Sequence, residues 1–351
     1  MIKKEKKLGV KVIGTFLGIT FVLLTFLFIS GCDLSKQSGK NEAPKKKVSL
    51  RLRWIPQSQF AGIYWAQEKG LFAKEGLDVT IVPGGPGINI MQLIGSGAED
   101  MGICASAQVI EARDKGLPVV SVGTIFQSNP NIFFAKTESG ITSPKDWVGK
   151  TVAVFKGYDQ EYVFRALLKR QGIDPKSVKE YPAQIDMNPF FEDKVEVWSG
   201  YVINQPNTAE EKGFKINRIY PDKYGVHISG DGICTSEEFI QNQPEIVGAV
   251  TRAVLTGWKE ALSNRKEAVD IMLKVNPKLD RVHEEKMINS VAELSLTDDI
   301  NGKIGWMKEQ QWQEMIDLWK EFGGIKNDMK AASCYTMKFL EEFYGQEPKG
   351  E

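Results

Sequence analysis

The chain is 351 residues long and formally neutral, with 45 Lys and Arg against 45 Asp and Glu and only two histidines. No excess of positive charge is available to neutralise a phosphate backbone, which argues against a nucleic-acid partner. Four cysteines without a CxxC pair, and two distant histidines, lack the clustering that a metal site needs; the length allows a large core and two lobes.

The first elements in chain order concern address. Lys3, Lys4, Lys6, Lys7 and Lys11 precede an uncharged run, residues 12–29, rich in Phe, Leu, Val and Ile. A basic start before a short apolar stretch reads as a secretory signal. Ile29-Ser30-Gly31-Cys32 follows and resembles the lipobox of bacterial lipoproteins, with Cys32 as the lipid acceptor. Residues 1–31 are therefore expected to be signal peptide and 32–47 the lipidated cysteine and a flexible tether, too polar to fold. The lipid would hold the protein on the cell membrane, facing the extracytoplasmic side. Without residues 1–31 the chain carries 40 basic and 44 acidic residues, a net of −4. Two of Cys104, Cys234 and Cys334 can pair in an exported protein, or all three can stay free; the sequence does not decide.

From residue 48 strands alternate with helices. VSLRLRW (48–54) alternates apolar and polar residues as a strand does. A helix is expected over 60–75, a strand over 77–82, a helix over 90–96, a strand over 98–104, a helix over 107–115 and a strand over 119–126. The pattern restarts at 147–155 (strand), 159–171 (helix) and 178–182 (strand). Short elements are expected at 188–191, 195–200, 209–213 and 215–220. Beyond 236 the chain reads as helix at 236–240, 245–264, 267–275, 282–294, 309–322 and 336–344, with Trp258, Trp306, Trp312 and Trp319 as packing residues. This is an α/β pattern with parallel pairs. Two lobes are expected, 48–135 with 230–351 and 136–229, joined by crossings near 133–136 and 225–233.

Longer stretches carry a resemblance. RWIPQSQFAGIYWAQEKGLFAKEGLDVTIVPGG (53–85), GAEDMGICAS (97–106), GLPVVSVGTIFQ (116–127) and GITSPKDWVGKTVAV (140–154) resemble the ThiY/RibY-like solute-binding proteins. These belong to a larger superfamily that binds pyrimidine precursors, sulfonates and nitrate. NQPEIVGAVTRAVLTGWKEALSN (242–264) resembles the helix where the lobes rejoin. The resemblance spans residues 48–345. It implies a type II periplasmic-binding-protein fold, a ligand cleft between the lobes, and delivery of a small-molecule solute to the permease and ATPase subunits of an ABC importer, with no cofactor and no enzymatic role.

In open α/β sheets a ligand lies beyond the carboxyl ends of strands. That rule selects Trp54, Gln57 and Gln59 after the first strand, with Tyr64 in the helix that follows. A flat ring and two amides suit a heterocycle; the alternative is that Trp54 is core and the glutamines cap the helix. Gly84 and Gly85 form a turn whose N–H groups can meet an anion, or merely a tight turn. Cys104 and Ala105 leave room at the end of the third strand, and Gln127 ends the next. In the second lobe Lys156 and Tyr158 open a helix whose N-terminus attracts polar groups, with Asp159 expected to cap it. Trp198, Tyr201 and Asn204 come next, Gln205 standing where relatives of this group resemble Asn-Glu-Pro, and Asp231 is the last candidate. Two solute classes follow: a heteroaromatic vitamin or precursor, namely a thiamine pyrimidine or riboflavin, or an oxyanion such as a sulfonate or nitrate held by Arg53, Lys156 and the 84–87 turn. Two further readings are an enzyme, for which His227 and His283 show no supporting motif, and a lipoprotein that has lost transport.

Overall fold

A computed structural model describes residues 44–346. The signal segment, Cys32 and most of the tether lie outside them. Among the described residues no helix is long and apolar enough to cross a membrane. The tether ends sooner than its composition implies, because Lys46 and Lys47 already pair with Leu77 and Asp78 in the first sheet.

Strand β1 (Lys46–Arg51) buries Val48 and Leu50 and leaves Lys46 and Lys47 in water, as its alternation dictates. The helix expected over 60–75 is broken. Gly70 adopts a left-handed conformation at φ 67°, which glycine reaches without steric cost, and splits it into α1 (Ala61–Glu68) and α2 (Leu71–Lys74). Then come β2 (Leu77–Val82), α3 (Ile90–Gly95), β3 (Met101–Ala105), α4 (Ser106–Asp114) and β4 (Val119–Thr124). β4 stops short of the expected Phe126 because the N–H groups of Ile125 and Phe126 both turn to the carbonyl of Asp231.

The second run is β5 (Asn131–Lys136), β6 (Thr151–Val154), α5 (Asp159–Arg170), β7 (Lys179–Pro182), α6 (Asn188–Phe191), β8 (Val197–Tyr201), α7 (Gln205–Glu211) and β9 (Ile216–Ile219). The chain then supplies β10 (Asp231–Ser236), α8 (Glu237–Asn242), α9 (Pro244–Ser263), α10 (Arg265–Val275), α11 (Arg281–Ser295), α12 (Glu309–Glu321) and α13 (Lys338–Gln346).

The strands form two five-stranded sheets, ordered β2-β1-β3-β10-β4 and β7-β6-β8-β5-β9. The two orders match. In each, the strand laid down just after a crossing (β10, β5) enters antiparallel between two others, while the rest pair in parallel. One expectation is corrected here. Residues 133–136 are not a crossing but part of β5, an interior strand of the second sheet; Ile132, Phe133, Phe134 and Ala135 are buried because both faces of that sheet are covered. The first crossing therefore precedes Asn131, and the second sheet begins before residue 136.

The crossings run side by side. Gly230 N donates to the carbonyl of Phe126 at 2.8 Å, and Asn129 Nδ2 to that of Val226 at 3.0 Å. A Cβ on Gly230 would stand 2.7 Å from Pro130 Cγ, so only glycine fits. Behind the first sheet α1 lies directly on α9: a Cβ on Gly257 would meet the Gly62 carbonyl oxygen at 2.2 Å. That contact fixes the loop from β1 into α1, which forms one wall of the cleft. Trp258, Trp312 and Trp319 are core residues and Trp306 is partly buried, as expected.

Candidate functional site

Four loops, each leaving or entering a strand, converge between the sheets. They carry Arg53, Trp54 and Gln59 after β1; Phe155, Tyr158 and Gln160 after β6; Tyr201 at the end of β8 with Asn204 and Gln205 beyond it; and Asp231 at the start of β10. The first nine line a cavity enclosing about 340 Å³ of space free of atoms, part of it continuous with solvent.

The centre of the wall is a buried charge cluster. Arg53 Nη2 meets Asp159 Oδ1 and Arg53 Nη1 meets Asp231 Oδ1, both at 2.6 Å, with side-chain exposures of 3%, 0% and 3% for Arg53, Asp159 and Asp231. Arg53 also donates to the Tyr201 hydroxyl, which itself donates to Asp159 Oδ2 at 2.7 Å. Asn131 Nδ2 donates to Asp159 Oδ2 at 2.8 Å, and Gln59 Nε2 to Asp231 Oδ2 at 2.7 Å. Because Arg53 and Asp231 belong to the first lobe and Asp159 and Tyr201 to the second, these bonds hold the lobes together.

The electrostatics follow from burial. Burial works against the Arg53 cation, but Asp159, Tyr201 and Asp231 outweigh it and raise its pKa well above the ordinary value. Burial pushes the Asp231 carboxyl above its ordinary 3.8, more than Arg53 and Gln59 pull it down. It likewise raises the Tyr201 hydroxyl well above its usual range, Arg53 opposing and Asp159 and Asp231 adding. One cation faces two carboxylates, so the wall has a surplus of acceptors.

Rings close the cavity. Trp54 meets Phe155 and Tyr158 edge-on, at centroid distances of 5.6 and 5.7 Å. The Tyr158 hydroxyl crosses the cleft to donate to the Gly85 carbonyl at 2.7 Å.

An amide chain leads outward from the cluster. Gln57 Nε2 donates to Gln59 Oε1 at 2.7 Å, and Asn204 Nδ2 to Gln57 Oε1 at 3.4 Å. His283 Nε2 stands 3.1 Å from Asn204 Oδ1, and its Nδ1 stands 2.8 Å from Glu211 Oε2 across the lobes. Burial opposes but Lys286 and His283 prevail, and the Glu211 carboxyl falls below its usual range.

Of the residues selected from sequence, Trp54, Gln59, Tyr158, Tyr201 and Asn204 line the cavity, and Gln57 and Asp231 brace it. The others stand elsewhere for physical reasons. Tyr64 is buried on α1 outside the lining, its hydroxyl pushed up to about 12 by burial. Gly84 N is already engaged with the Trp54 carbonyl, and the Gly85 carbonyl accepts from Tyr158, so Gly84 has no free N–H to offer an anion. Cys104 and Ala105 are wholly inside β3; Cys104 sits by Cys234 and burial raises its thiol well above the ordinary range. All three described cysteines are free thiols. Gln127 Nε2 bonds the carbonyls of Thr124 and Trp306 at the crossing. Lys156 is 44% exposed and engaged by Glu161 and Glu180. Trp198 is packed on Tyr181 and Phe190 in the core of the second lobe.

Asp159 makes no cap. Tyr158 holds the cap position, and Asp159 turns to Arg53 instead. Arg53, Phe155, Gln160 and Gln205 also belong to the lining without having been selected as ligands for a heterocycle. Phe155 and Gln160 flank Tyr158 in sequence, the one local signal that pointed to them. Nothing local marks a pair 106 residues apart.

Comparison with known proteins places the chain. It is 29% identical over 333 residues to the formylaminopyrimidine-binding protein of Halalkalibacterium halodurans, covering 91% of this chain and 97% of that one. It is 25% identical over 343 residues to the riboflavin-binding protein RibY of Chloroflexus aurantiacus, covering 92% and 97%. It is 26% identical over 308 residues to a 4-amino-5-hydroxymethyl-2-methylpyrimidine phosphate synthase of Legionella pneumophila, covering 85% and 93%. Among solved structures, the nitrate-binding protein NrtA of Synechocystis superposes with a TM-score of 0.69 at 13% identity, covering 86% of this chain and 89% of that one. The alkanesulfonate-binding protein SsuA of Xanthomonas axonopodis superposes with a TM-score of 0.67 at 14% identity, covering 84% and 99%. The fold is therefore that of the periplasmic binding proteins. The NMT1/THI5-like family model matches residues 57–268, well over half of the sequence, and the chain belongs to that family.

Proposed function

We propose that this protein is the extracytoplasmic solute-binding subunit of an ABC importer, held to the membrane by a lipid on Cys32. Its solute is a small heteroaromatic vitamin or precursor, with a thiamine pyrimidine ahead of riboflavin. The observation that carries this reading is the composition of the cavity wall: three rings, Trp54, Phe155 and Tyr158, beside amides and a buried cluster with more acceptors than cations. Rings supply affinity for a flat solute, and fixed polar groups supply orientation. The pyrimidine is placed ahead because the formylaminopyrimidine-binding relative is 29% identical to this chain and the riboflavin-binding one 25%.

An oxyanion solute would meet Arg53 already committed to two carboxylates and Lys156 committed to two glutamates. The charge of the wall thus favours a solute that donates hydrogen bonds. Synthase chemistry would need a reactive group at the cavity. His227 instead pairs with Asp222 on the surface, and His283 pairs with Glu211 and Asn204. Solute entry requires the lobes to part about the paired crossings, a hinge motion.

The test is thermal unfolding of the purified full-length protein in detergent, with formylaminopyrimidine, 4-amino-5-hydroxymethyl-2-methylpyrimidine, riboflavin, taurine and nitrate. A ligand that binds only the folded state raises the melting temperature by mass action. A rise with a pyrimidine is expected; a rise with only taurine or nitrate contradicts the heteroaromatic solute.

A further inference from the structure

The polar groups of the cleft are tied to one another in a continuous chain, with one exception on the cavity wall. Gln57, Gln59, Asn204, Asp159 and Asp231 all have side-chain partners, and Gln205 Oε1 accepts from Tyr201 N at 2.9 Å. Gln160 is different. It lines the cavity and is only 7% exposed, and its Oε1 is buried without a hydrogen-bond partner. Its backbone sits in the first turn of α5, so packing of that helix fixes where the amide stands.

A buried acceptor without a donor costs free energy, and of the buried side-chain atoms without a partner among the described residues, Gln160 Oε1 is the one on the lining of this cavity. Three polar side chains of the same wall are committed elsewhere. The Tyr158 hydroxyl is committed to Gly85, the Tyr201 hydroxyl to Asp159, and Arg53 to both carboxylates. A solute that enters the cavity can supply the missing donor. An aromatic hydrocarbon, an unsubstituted alkanesulfonate and nitrate have no N–H or O–H to give, and taurine's only donor is an aliphatic ammonium. A heterocycle bearing an exocyclic amine does.

Resting on the functional reading above, we infer that Gln160 is a specificity-determining residue that accepts a hydrogen bond from an exocyclic amine of the heteroaromatic solute. A solute with the amine satisfies the carbonyl. An isostere with a methyl group there leaves the carbonyl buried and unpaired and is rejected, because a site built to pair with a polar group discriminates strongly against the analogue that lacks it.

The experiment is calorimetric titration of the full-length protein in detergent with two probes, 4-amino-5-hydroxymethyl-2-methylpyrimidine and the analogue carrying methyl in place of the 4-amino group. Wild type is expected to prefer the amine by at least about tenfold. Gln160→Met is expected to lose that preference, chiefly by weakening the amine. Its melting temperature without solute should equal or exceed that of wild type, since an unpaired polar group has gone. Gln160→Glu, which keeps an acceptor, should retain the preference. A Gln160→Met variant that still prefers the amine overturns the inference, as does one that melts lower with unchanged affinities. Binding of neither probe by wild type overturns the functional reading itself, an outcome distinct from the other two.

Discussion

Replacing Arg53 with Met removes the only cation from a buried cluster and leaves Asp159 and Asp231 facing each other across the cleft. In the closed protein both carboxylates are at most 3% exposed, each 2.6 Å from the guanidinium. Breaking such a pair costs about 3–5 kcal/mol, because an uncompensated charge stays buried. The protein has an escape that a single-core domain lacks. Asp159 belongs to one lobe and Asp231 to the other, so opening the cleft hydrates both. The penalty therefore falls on closure rather than on folding, and it lowers the closed-to-open ratio by roughly a hundredfold to several thousandfold at 1.4 kcal/mol per decade. Small-angle X-ray scattering at neutral pH should give a larger radius of gyration for Arg53→Met than for wild type. Compactness should return as the pH falls and Asp231, whose pKa burial raises, neutralises. The triple variant with Asp159→Asn and Asp231→Asn added should also be compact. A single variant as compact as wild type at neutral pH, with unchanged solute affinity, refutes the reasoning.

Other outcomes are expected at the rings, the helices and the titrating groups. Trp54→Leu removes the ring that Phe155 and Tyr158 abut, and calorimetry should show loss of at least about 2 kcal/mol of binding energy, the scale of an aromatic anchor. Tyr158→Phe leaves the Gly85 carbonyl without its partner across the cleft and should weaken solute by about 0.5–1.5 kcal/mol, with little change in melting temperature. Gly257→Ala drives a methyl group to 2.2 Å from the Gly62 carbonyl and should lower stability by about 1–3 kcal/mol or more, read as a fall in the denaturation midpoint. Burial raises the folded pKa of Asp231, so its contribution to stability is fully present below the ordinary 3.8 and is lost as pH rises through the raised value. Glu211, held below its ordinary 4.5, contributes in the opposite sense, losing stability as pH falls. A difference profile between wild type and Asp231→Asn isolates the first term, and should show wild-type stability declining relative to the variant as pH rises from about 4.

The fold was legible where one residue type enforces one local geometry. Alternation in VSLRLRW marked a strand whose first four residues lie in β1, and strands separated by helix-length segments give two α/β lobes. Among the residues selected on the rule that ligands sit beyond strand ends, Trp54, Gln59, Tyr158, Tyr201 and Asn204 stand on the cavity wall. The rule does not anticipate side chains whose place is decided by partners far apart in sequence. Lys156 looked like a cleft cation until Glu180, 24 residues on, claimed it. Asp159 looked like a helix cap because its partner Arg53 lies on another lobe. Trp198 stands on a strand that ends at the cleft, but packing on Tyr181 and Phe190 takes its ring into the core. β5 was missed because Asn131–Lys136, buried throughout, shows no alternation to mark it as a strand.

The most direct test is the crystal structure of the protein grown with formylaminopyrimidine. The account predicts a closed cleft with the pyrimidine ring among Trp54, Phe155 and Tyr158, its amine within hydrogen-bonding distance of Gln160 Oε1, and Arg53 still joined to Asp159 and Asp231. A solute bound elsewhere on the chain, or a cleft that stays closed and empty while calorimetry detects no binding, contradicts it.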